Sequence, residues 1–128
     1  MAQLIRSFED LQVWQRAMEL VPVAYRLVKK LPKEEMFALA GQIRRAVVSV
    51  PANIAEGHAR HHTKEFVQHL AIARGSLAEL TTLLLVAERL SYLTRQEVDE
   101  AESIIRQARM LLSGLVQSLR ARSRAVVP

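Results

Sequence analysis

Residues 66–87 read FVQHLAIARGSLAELTTLLLVA and place apolar side chains at alternating intervals of four and three residues. This interval keeps one side of an α-helix apolar and is typical of helices that pack in a bundle. The row consists of Phe66, Leu70, Ala73, Leu77, Leu80, Leu84 and Ala87. The stretch therefore predicts a long amphipathic helix with one face in a core, and it decides the fold class.

The same interval recurs in three further segments of the chain. Together the four segments predict helices at about residues 8–31, 36–59, 63–90 and 94–121, while residues 122–128 lack the period and are expected to fray. Helices joined by such short connections run antiparallel to their neighbours. The sequence therefore predicts a single all-α domain, an antiparallel up-down-up-down four-helix bundle over residues 1–128.

Capping residues, prolines and glycines refine this prediction. Ser7 is suited to cap the first helix, and Thr94 with Glu97 forms the Thr-x-x-Glu pattern of a capping box. Pro22 and Pro51 fall inside the first two helices and predict kinks there, because proline removes a backbone hydrogen bond. Two glycines also have predicted roles. Gly57 is expected to help the second helix end, and Gly75 is expected to allow close packing against another helix.

Composition excludes several classes of protein. Half of the 128 residues are hydrophobic, with only 4 glycines and 4 prolines, which argues against a disordered or many-stranded chain. The lack of cysteine excludes disulfides, thiolate metal sites and a cysteine nucleophile. No apolar run approaches the roughly 18 residues of a membrane helix, and the first ten residues lack a signal-peptide core. We therefore expect a soluble, cytoplasmic protein without a membrane partner.

The formal net charge of +5 arises near the end of the chain, where no acidic residue follows Glu102. A basic excess favours a polyanionic partner. In the predicted bundle the start of helix 1, the turn between helices 2 and 3 and the end of helix 4 meet at one end. That end would gather Arg6, Arg60, Lys64, Arg120, Arg122 and Arg124 with His58, His61 and His62. It is suited to phosphates, or is simply a solvated end, and no aromatic residues accompany the charge for base-specific recognition.

The first helix is apolar on an unusually wide face. One row, interpreted as its core row, is Leu11, Trp14, Met18, Val21, Tyr25 and Val28, and a second row is Val13, Ala17, Leu20, Ala24, Leu27 and Leu31. Together they span roughly 200° of the helix, whereas a helix that faces only its own core needs little more than about 100°. Helix 3 has a similar excess near its end. The surplus predicts self-association, with a thicker core as the alternative.

Four histidines lie close together in sequence at positions 58, 61, 62 and 69. Their spacing lacks the patterns that define zinc sites, such as His-Glu-x-x-His. Histidines beside Arg60 and Lys64 are better explained as solvated or as part of a basic surface. We therefore expect no metal and no other cofactor.

Polar residues in or near the apolar faces have two interpretations. Asn53, Glu56, Arg74 and Glu79 could form a buried hydrogen-bond network, with Asn53 and Glu56 facing Arg74, or they could include a catalytic carboxylate pair. A hydrolase using Asn53, Glu56 and His58 is a further alternative. Because no nucleophile, phosphate loop or metal-ligand set accompanies them, the network is the better interpretation, and we expect no enzyme, no catalytic residue and no small-molecule substrate.

Three stretches also resemble a known family: SFEDLQVWQRAMEL (7–20), LAGQIRRAVVSVPANIAEGHAR (39–60) and KEFVQHLAIARGSLAEL (64–80). They resemble the four-helix proteins encoded in intervening sequences of bacterial 23S ribosomal RNA genes. The resemblance implies a left-handed antiparallel bundle and a ring of five subunits with a charged pore. The chain is also similar to the accessory variability proteins of diversity-generating retroelements, basic pentamers that bind nucleic acid.

The resemblance adds candidate binding residues, since Arg44, Arg45, Arg60, Lys64 and Arg74 match the basic pattern of the family. With Arg120, Arg122 and Arg124 of the basic end, they are the predicted nucleic-acid contacts. The resulting prediction is a non-enzymatic homo-oligomer, most simply a pentamer, that binds RNA or single-stranded nucleic acid. The alternative is a structural or protein-interaction module without a nucleic-acid role, and sensitivity to salt separates the two.

Overall fold

The regular structure of the chain is helical. The computed structural model describes residues 4–126, and within that range there is no β-strand. Four α-helices follow one another as α1 (Gln12–Val28), α2 (Leu39–Ala59), α3 (Thr63–Arg89) and α4 (Arg95–Val126), and short 3-10 turns cover Phe8–Asp10 and Lys33–Glu35. The predicted all-α class with four helices is confirmed.

Each helix packs against two others around a common apolar core. α1 contacts α2 and α4, and α3 contacts the same two helices, an arrangement consistent with a four-helix bundle. All seven residues of the row that runs from Phe66 to Ala87 are buried, as the spacing predicted. On α4 the buried residues are Val98, Ala101, Ile105, Ala108, Leu112 and Leu119.

On α1 the two apolar rows have the opposite roles to those predicted. The row from Val13 to Leu31 is buried, whereas Met18 and Tyr25 of the other row remain 43% and 39% exposed. Trp14, Val21 and Val28 of that row are partly buried against the core. The core takes the row of smaller and branched residues, because Ala17 and Ala24 let the neighbouring helices approach closely.

Side-chain contacts show which parts of neighbouring helices lie next to each other. Lys30, just after α1, forms an ion pair with Glu97 in the first turn of α4, and Arg26 donates to Glu100 at 3.2 Å. Ser49 and Ser76 share a 2.8 Å hydrogen bond between α2 and α3. The end of α1 thus lies beside the start of α4.

The helix ends agree only in part with the sequence signals. The capping box at the start of α4 is confirmed: the Thr94 N–H donates to Glu97 Oε1 at 2.8 Å, and the Glu97 N–H donates to Thr94 Oγ1 at 3.1 Å. Ser7 instead caps the 3-10 turn, where its Oγ accepts from the Glu9 N–H at 3.2 Å. α1 therefore begins at Gln12 rather than near residue 8.

The prolines and the end of the chain complete this comparison. Pro22 and Pro51 lie inside α1 and α2, which are helical on both sides of them. α4 continues to Val126, five residues beyond the predicted end of the fourth helix, and residues 127–128 lie outside the described residues, so the expected fraying of 122–128 stays a prediction. Alternating serine and arginine residues are compatible with helix, and the basic side chains stabilise a helix C-terminus.

Within residues 4–126, α3 is the one helix that is long and apolar enough to resemble a membrane span. By length and composition alone Thr63–Arg89 would suffice to cross a membrane, with a mean hydropathy of 1.6 in its most apolar 18-residue stretch. In this fold its apolar row faces the core that it shares with α2 and α4.

Candidate nucleic-acid interface

The eight predicted basic residues lie in separate regions of the surface. Arg44 and Arg45 stand near the start of α2, whereas Arg60 follows its end. At a rise of about 1.5 Å per residue, these two regions are roughly 24 Å apart. The structure therefore divides the residues into a groove at one end, a cleft between α3 and α4, and a group at the turn between α2 and α3.

The first region is a groove in which two arginines lie among apolar and aromatic side chains. We call it the arginine groove, and its lining consists of Tyr25, Met36, Phe37, Gly41, Arg44, Arg45, Val48 and Ser49. Phe37 is 91% exposed, so its ring is free to contact a partner. Arg44 Nη2 donates to the Met36 carbonyl at 2.8 Å, which holds one guanidinium against the segment that carries Phe37.

Glu35 fixes the segment that leads into the arginine groove. One carboxylate oxygen accepts from the Leu39 N–H at the start of α2 at 3.4 Å, and the other accepts from the Tyr92 hydroxyl at 3.0 Å. This hydrogen bond to Glu35 raises the pKa of Tyr92 above its ordinary value. Because Tyr92 belongs to the connection between α3 and α4, the two connections at this end are tied together. Met36 and Phe37 are thereby held beside the arginines.

The lack of aromatic residues was predicted for the basic end, whereas in the arginine groove two aromatic residues lie beside Arg44 and Arg45. Tyr25 comes from the exposed side of α1, and Phe37 lies in the connection that precedes α2. The only sequence signal was the apolar pair Met36–Phe37, eight residues before the arginines, which the spacing placed at the start of helix 2 and not in the connection that precedes it. The pair can be interpreted as part of a binding surface only when the path of the connection between α1 and α2 is known.

The second region is a cleft between α3 and α4 with one arginine on each side. Arg74 and Arg120 line it above a floor of Val67, Leu70, Ala71, Leu112 and Val116. Both arginines are exposed. The cleft can place two guanidinium groups against one phosphate backbone.

The third region surrounds the turn between α2 and α3. We call it the histidine pocket, and its lining consists of Gly57, His58, His61, His62, Thr63, Phe66, Leu119 and Arg122. Arg60 and Lys64 are exposed beside it, and Arg124 is exposed two residues beyond Arg122. Arg60 forms a 3.0 Å ion pair with Glu56.

The conformation of this turn differs from the prediction for Gly57. Gly57 lies inside α2 without a positive φ, and the left-handed residue of the turn is His61, with φ of 61°. The reason for glycine is the approach of α3, because a Cβ at position 57 would come within 2.6 Å of the His69 Cβ. Gly75 has no such neighbour within 4 Å, so the close packing predicted for it is wrong within this chain.

A hydrogen-bonded network connects α2 with α3, but its members differ from those predicted. Asn53 Nδ2 donates to the Ser49 carbonyl at 2.8 Å and to Ser49 Oγ at 3.0 Å. Asn53 Oδ1 lies 3.2 Å from His69 Nδ1, which must therefore carry the hydrogen. Ser49 extends the network to Ser76, which is buried.

The other three predicted members of this network are on the surface. Glu56 is exposed and pairs with Arg60, and Arg74 and Glu79 are exposed as well. A Glu–Arg pair four residues apart on a helix satisfies both charges in solvent, whereas burying them carries a large desolvation cost. The signal that was missed is the polar pair Ser49 and Asn53, one helical turn apart on a buried face.

The described histidine and acidic side chains do not form a metal-binding group. Between residues 4 and 126, no group of three or more histidine and acidic side chains is placed to hold a metal ion. The ring centres of His58 and His61, which both line the histidine pocket, are 6.4 Å apart. The expectation of no metal and no cofactor stays a prediction.

Fold and surface together define an all-α, four-helix protein with arginines on separate parts of its surface. The sequence profile of the 23S rRNA-intervening sequence protein family matches residues 9–114, and the chain belongs to this family. The resemblance found in the sequence is therefore confirmed.

Comparison with solved structures agrees with this assignment. The chain is similar to a protein of unknown function from the S23 ribosomal protein family of Bacteroides thetaiotaomicron VPI-5482, with 25% sequence identity and a TM-score of 0.75. The match covers 81% of this chain and 97% of that one. No curated protein matches the sequence.

Proposed function

We propose that this protein is a non-enzymatic homo-oligomer, a pentamer, that binds RNA or single-stranded nucleic acid through its arginines. The observation that carries the proposal is the arginine groove, where Arg44 and Arg45 lie beside the rings of Tyr25 and Phe37. Proteins that bind single strands combine cationic groups along the phosphate backbone with aromatic platforms for the bases. The groove offers both on one surface.

The bundle proposed to present this groove is antiparallel, with a left-handed twist. The contacts of Lys30 with Glu97 and of Arg26 with Glu100 pair later residues of the first helix region with earlier residues of α4. Ser49 with Ser76 and Asn53 with His69 do the same for α2 and α3. Both patterns support the up-down-up-down order expected from the short connections.

The remaining arginines supply contacts to the backbone. Arg74 and Arg120 in the cleft, with Arg60, Lys64, Arg122 and Arg124 near the histidine pocket, are all exposed or line open surface. Phosphate contacts of this kind provide affinity with little sequence discrimination. In an oligomer the contacts of several subunits act on one strand, so a weak interaction per subunit becomes appreciable through avidity.

The test is RNA binding by fluorescence anisotropy with a labelled oligouridine of about 20 nucleotides, at about 50 mM and about 300 mM salt. We expect Arg44→Gln with Arg45→Gln to weaken binding at least about tenfold and to reduce the salt dependence. The matched control is Arg106→Gln with Arg109→Gln, which removes the same charge from exposed positions of α4. Equal losses in the two double variants, or no binding at low salt, would contradict the proposal.

The second candidate function is a protein-interaction module. It is favoured by the composition of the same groove, because methionine, aromatic residues and arginine are enriched in protein interfaces. Phe37, Met36 and Val48 are all exposed there. An apolar interface would bind its partner almost independently of salt, whereas phosphate binding weakens steeply.

A further inference from the structure

We propose that the histidine pocket is a pH-dependent binding site for a dianionic phosphate group. The group is the terminal phosphate of a nucleic-acid strand or a free phosphate, and the two sources share the same chemistry. This proposal deepens the proposed function and rests on it for the strand as a source, but it uses residues other than those of the arginine groove. It is therefore tested separately.

The pocket collects cationic donors from three parts of the fold. His58 comes from α2, His61 and His62 from the turn, and Arg122 from α4. His58 is held by an edge-to-face contact with Phe66, with 5.6 Å between the ring centres. The left-handed conformation of His61 turns the chain so that its ring lies 6.4 Å from that of His58.

The charge around the pocket is predominantly positive. No acidic residue is among its described lining, and Glu56, the nearest acid on α2, is bound by Arg60 at 3.0 Å. In the 3-10 turn that packs on α2, the Asp10 carboxylate already accepts the N–H groups of Arg6 and Ser7. Lys64 and Glu65 adjoin the lining residues Thr63 and Phe66 on α3, Arg120 and Arg124 lie two residues from Arg122 on α4, and Glu9 is the other charged residue of the 3-10 turn.

The ligand follows from the charge states of imidazole and phosphate. Histidine is the residue type that changes charge between about pH 5 and 8, and a phosphate monoester gains its second charge near pH 6. Imidazolium and a dianion therefore coexist best at mildly acidic pH. A phosphodiester of the RNA backbone carries only one charge, so the pocket favours a terminal or free phosphate over internal positions of a strand.

The grouping of the histidines also distinguishes this site from a metal centre. A metal needs imidazole lone pairs directed at one point, and no described group of three such ligands exists in the pocket or elsewhere in residues 4–126. Imidazole rings that line one pocket with a guanidinium are suited instead to donate hydrogen bonds to several oxygens of one anion.

The first experiment titrates methyl phosphate, a monoester whose second charge forms near pH 6, into the full chain and follows the histidine ring signals by NMR, at about pH 6 and about pH 7.5. We expect saturable shifts of the His58, His61 and His62 signals and binding at least about fivefold tighter at the lower pH. Absence of saturable shifts, or equal affinity at both pH values, would overturn the proposal.

Two variants test the named residues. Arg122→Gln removes the guanidinium, and His61→Asn removes an imidazole while keeping a residue that tolerates a positive φ. Each is expected to weaken phosphate binding at pH 6 by about fivefold or more, whereas the control Arg109→Gln leaves it unchanged. Circular dichroism verifies that each variant is folded, and a folded variant that binds like the unmodified chain would refute the assignment.

A last comparison distinguishes a strand end from free phosphate as the ligand. It also tests the histidine pocket separately from the arginine groove. If the strand end is the ligand, a 5′-phosphorylated oligonucleotide binds more tightly than the same sequence with a 5′-hydroxyl, and only in the presence of His61 and Arg122. If the two bind alike while inorganic phosphate still saturates the pocket, free phosphate is the ligand. The Arg44→Gln, Arg45→Gln variant keeps phosphate binding in either case, so failure of the groove and failure of the pocket give different results.

Discussion

Gly57 of α2 packs directly against His69 of α3, since a Cβ at position 57 would lie 2.6 Å from the His69 Cβ and 3.1 Å from Phe66 Cδ1. The first of these neighbours is a Cβ, fixed to the backbone, which cannot move aside by rotation of a side chain. The same contact holds the polar network of Asn53 and His69 in register. Glycine at position 57 is thus a packing requirement rather than a helix terminator.

We expect Gly57→Ala to lower the free energy of unfolding by about 1–3 kcal/mol, because the added methyl group overpacks the contact between α2 and α3. Urea denaturation followed by circular dichroism measures this change. An unchanged or increased stability would show that the helices separate easily at this point.

Gly75→Ala is expected to raise the free energy of unfolding. No atom lies within 4 Å of its Cβ position, and alanine in an exposed helix interior is favoured over glycine by roughly 0.5–1 kcal/mol. Gly114→Ala on α4, where the space is equally open, is the matched control and should stabilise by a similar amount. If only Gly75→Ala destabilises the protein, a second copy of the chain covers that position.

The network between α2 and α3 predicts that substitutions of Asn53 and Glu56 by alanine differ in their cost to stability. Asn53→Ala leaves the His69 Nδ1–H without its partner and should cost about 1–3 kcal/mol of stability. Glu56→Ala removes only an exposed ion pair with Arg60, and should cost less than about 1 kcal/mol. Thermal melting of both variants compares them directly, and a larger effect of Glu56→Ala would contradict the network.

Acid should weaken the start of α4. The pKa of the Glu97 carboxyl lies below its ordinary value of 4.5, mainly because Lys30 binds it and also because the Thr94 N–H donates to it. A lowered pKa in the folded state means that the contribution is fully present above the pKa of the unfolded chain and is lost as pH falls through the folded value.

Unfolding in urea at several pH values between about 2 and 7 checks this prediction. Glu97→Gln should be less stable than the unmodified chain at neutral pH, and the difference should shrink as the carboxyl of the unmodified chain becomes protonated. If the difference in stability between Glu97→Gln and the unmodified chain does not change with pH, the substitution acts through packing instead.

The sequence predicted the fold well where one apolar row stood alone. On α4 the spacing had a single interpretation, and Ile105 is buried accordingly. Leu70 and Leu77 of the α3 row are buried as well, although that helix has an apolar excess near its end. On α1 two rows compete, and spacing does not say which of them faces the core. The choice depends on how closely α2 and α4 approach, which Ala17 and Ala24 permit.

The surface features were less accessible to sequence reasoning, because they join residues that are distant in the chain. Phe37 reaches the arginines of α2 through the path of a connection, and Tyr25 joins them from α1. Ser49 meets Ser76 only through the register of α2 on α3. Helical periodicity specifies the face of a residue but not its partner on another helix.

The final prediction concerns self-association and the role of Phe37. Light scattering with size-exclusion chromatography at micromolar concentration should give a mass near five times 14.5 kDa. Phe37→Ser should leave this mass unchanged while weakening RNA binding by about 1–3 kcal/mol, the contribution of a base stacked on an aromatic ring. Met110→Ser, which alters a 70% exposed residue of α4 outside the arginine groove, is the control and should change neither property. If Phe37→Ser instead reduces the mass to that of a single chain, the groove is a contact between subunits, and the protein-interaction function replaces RNA binding there.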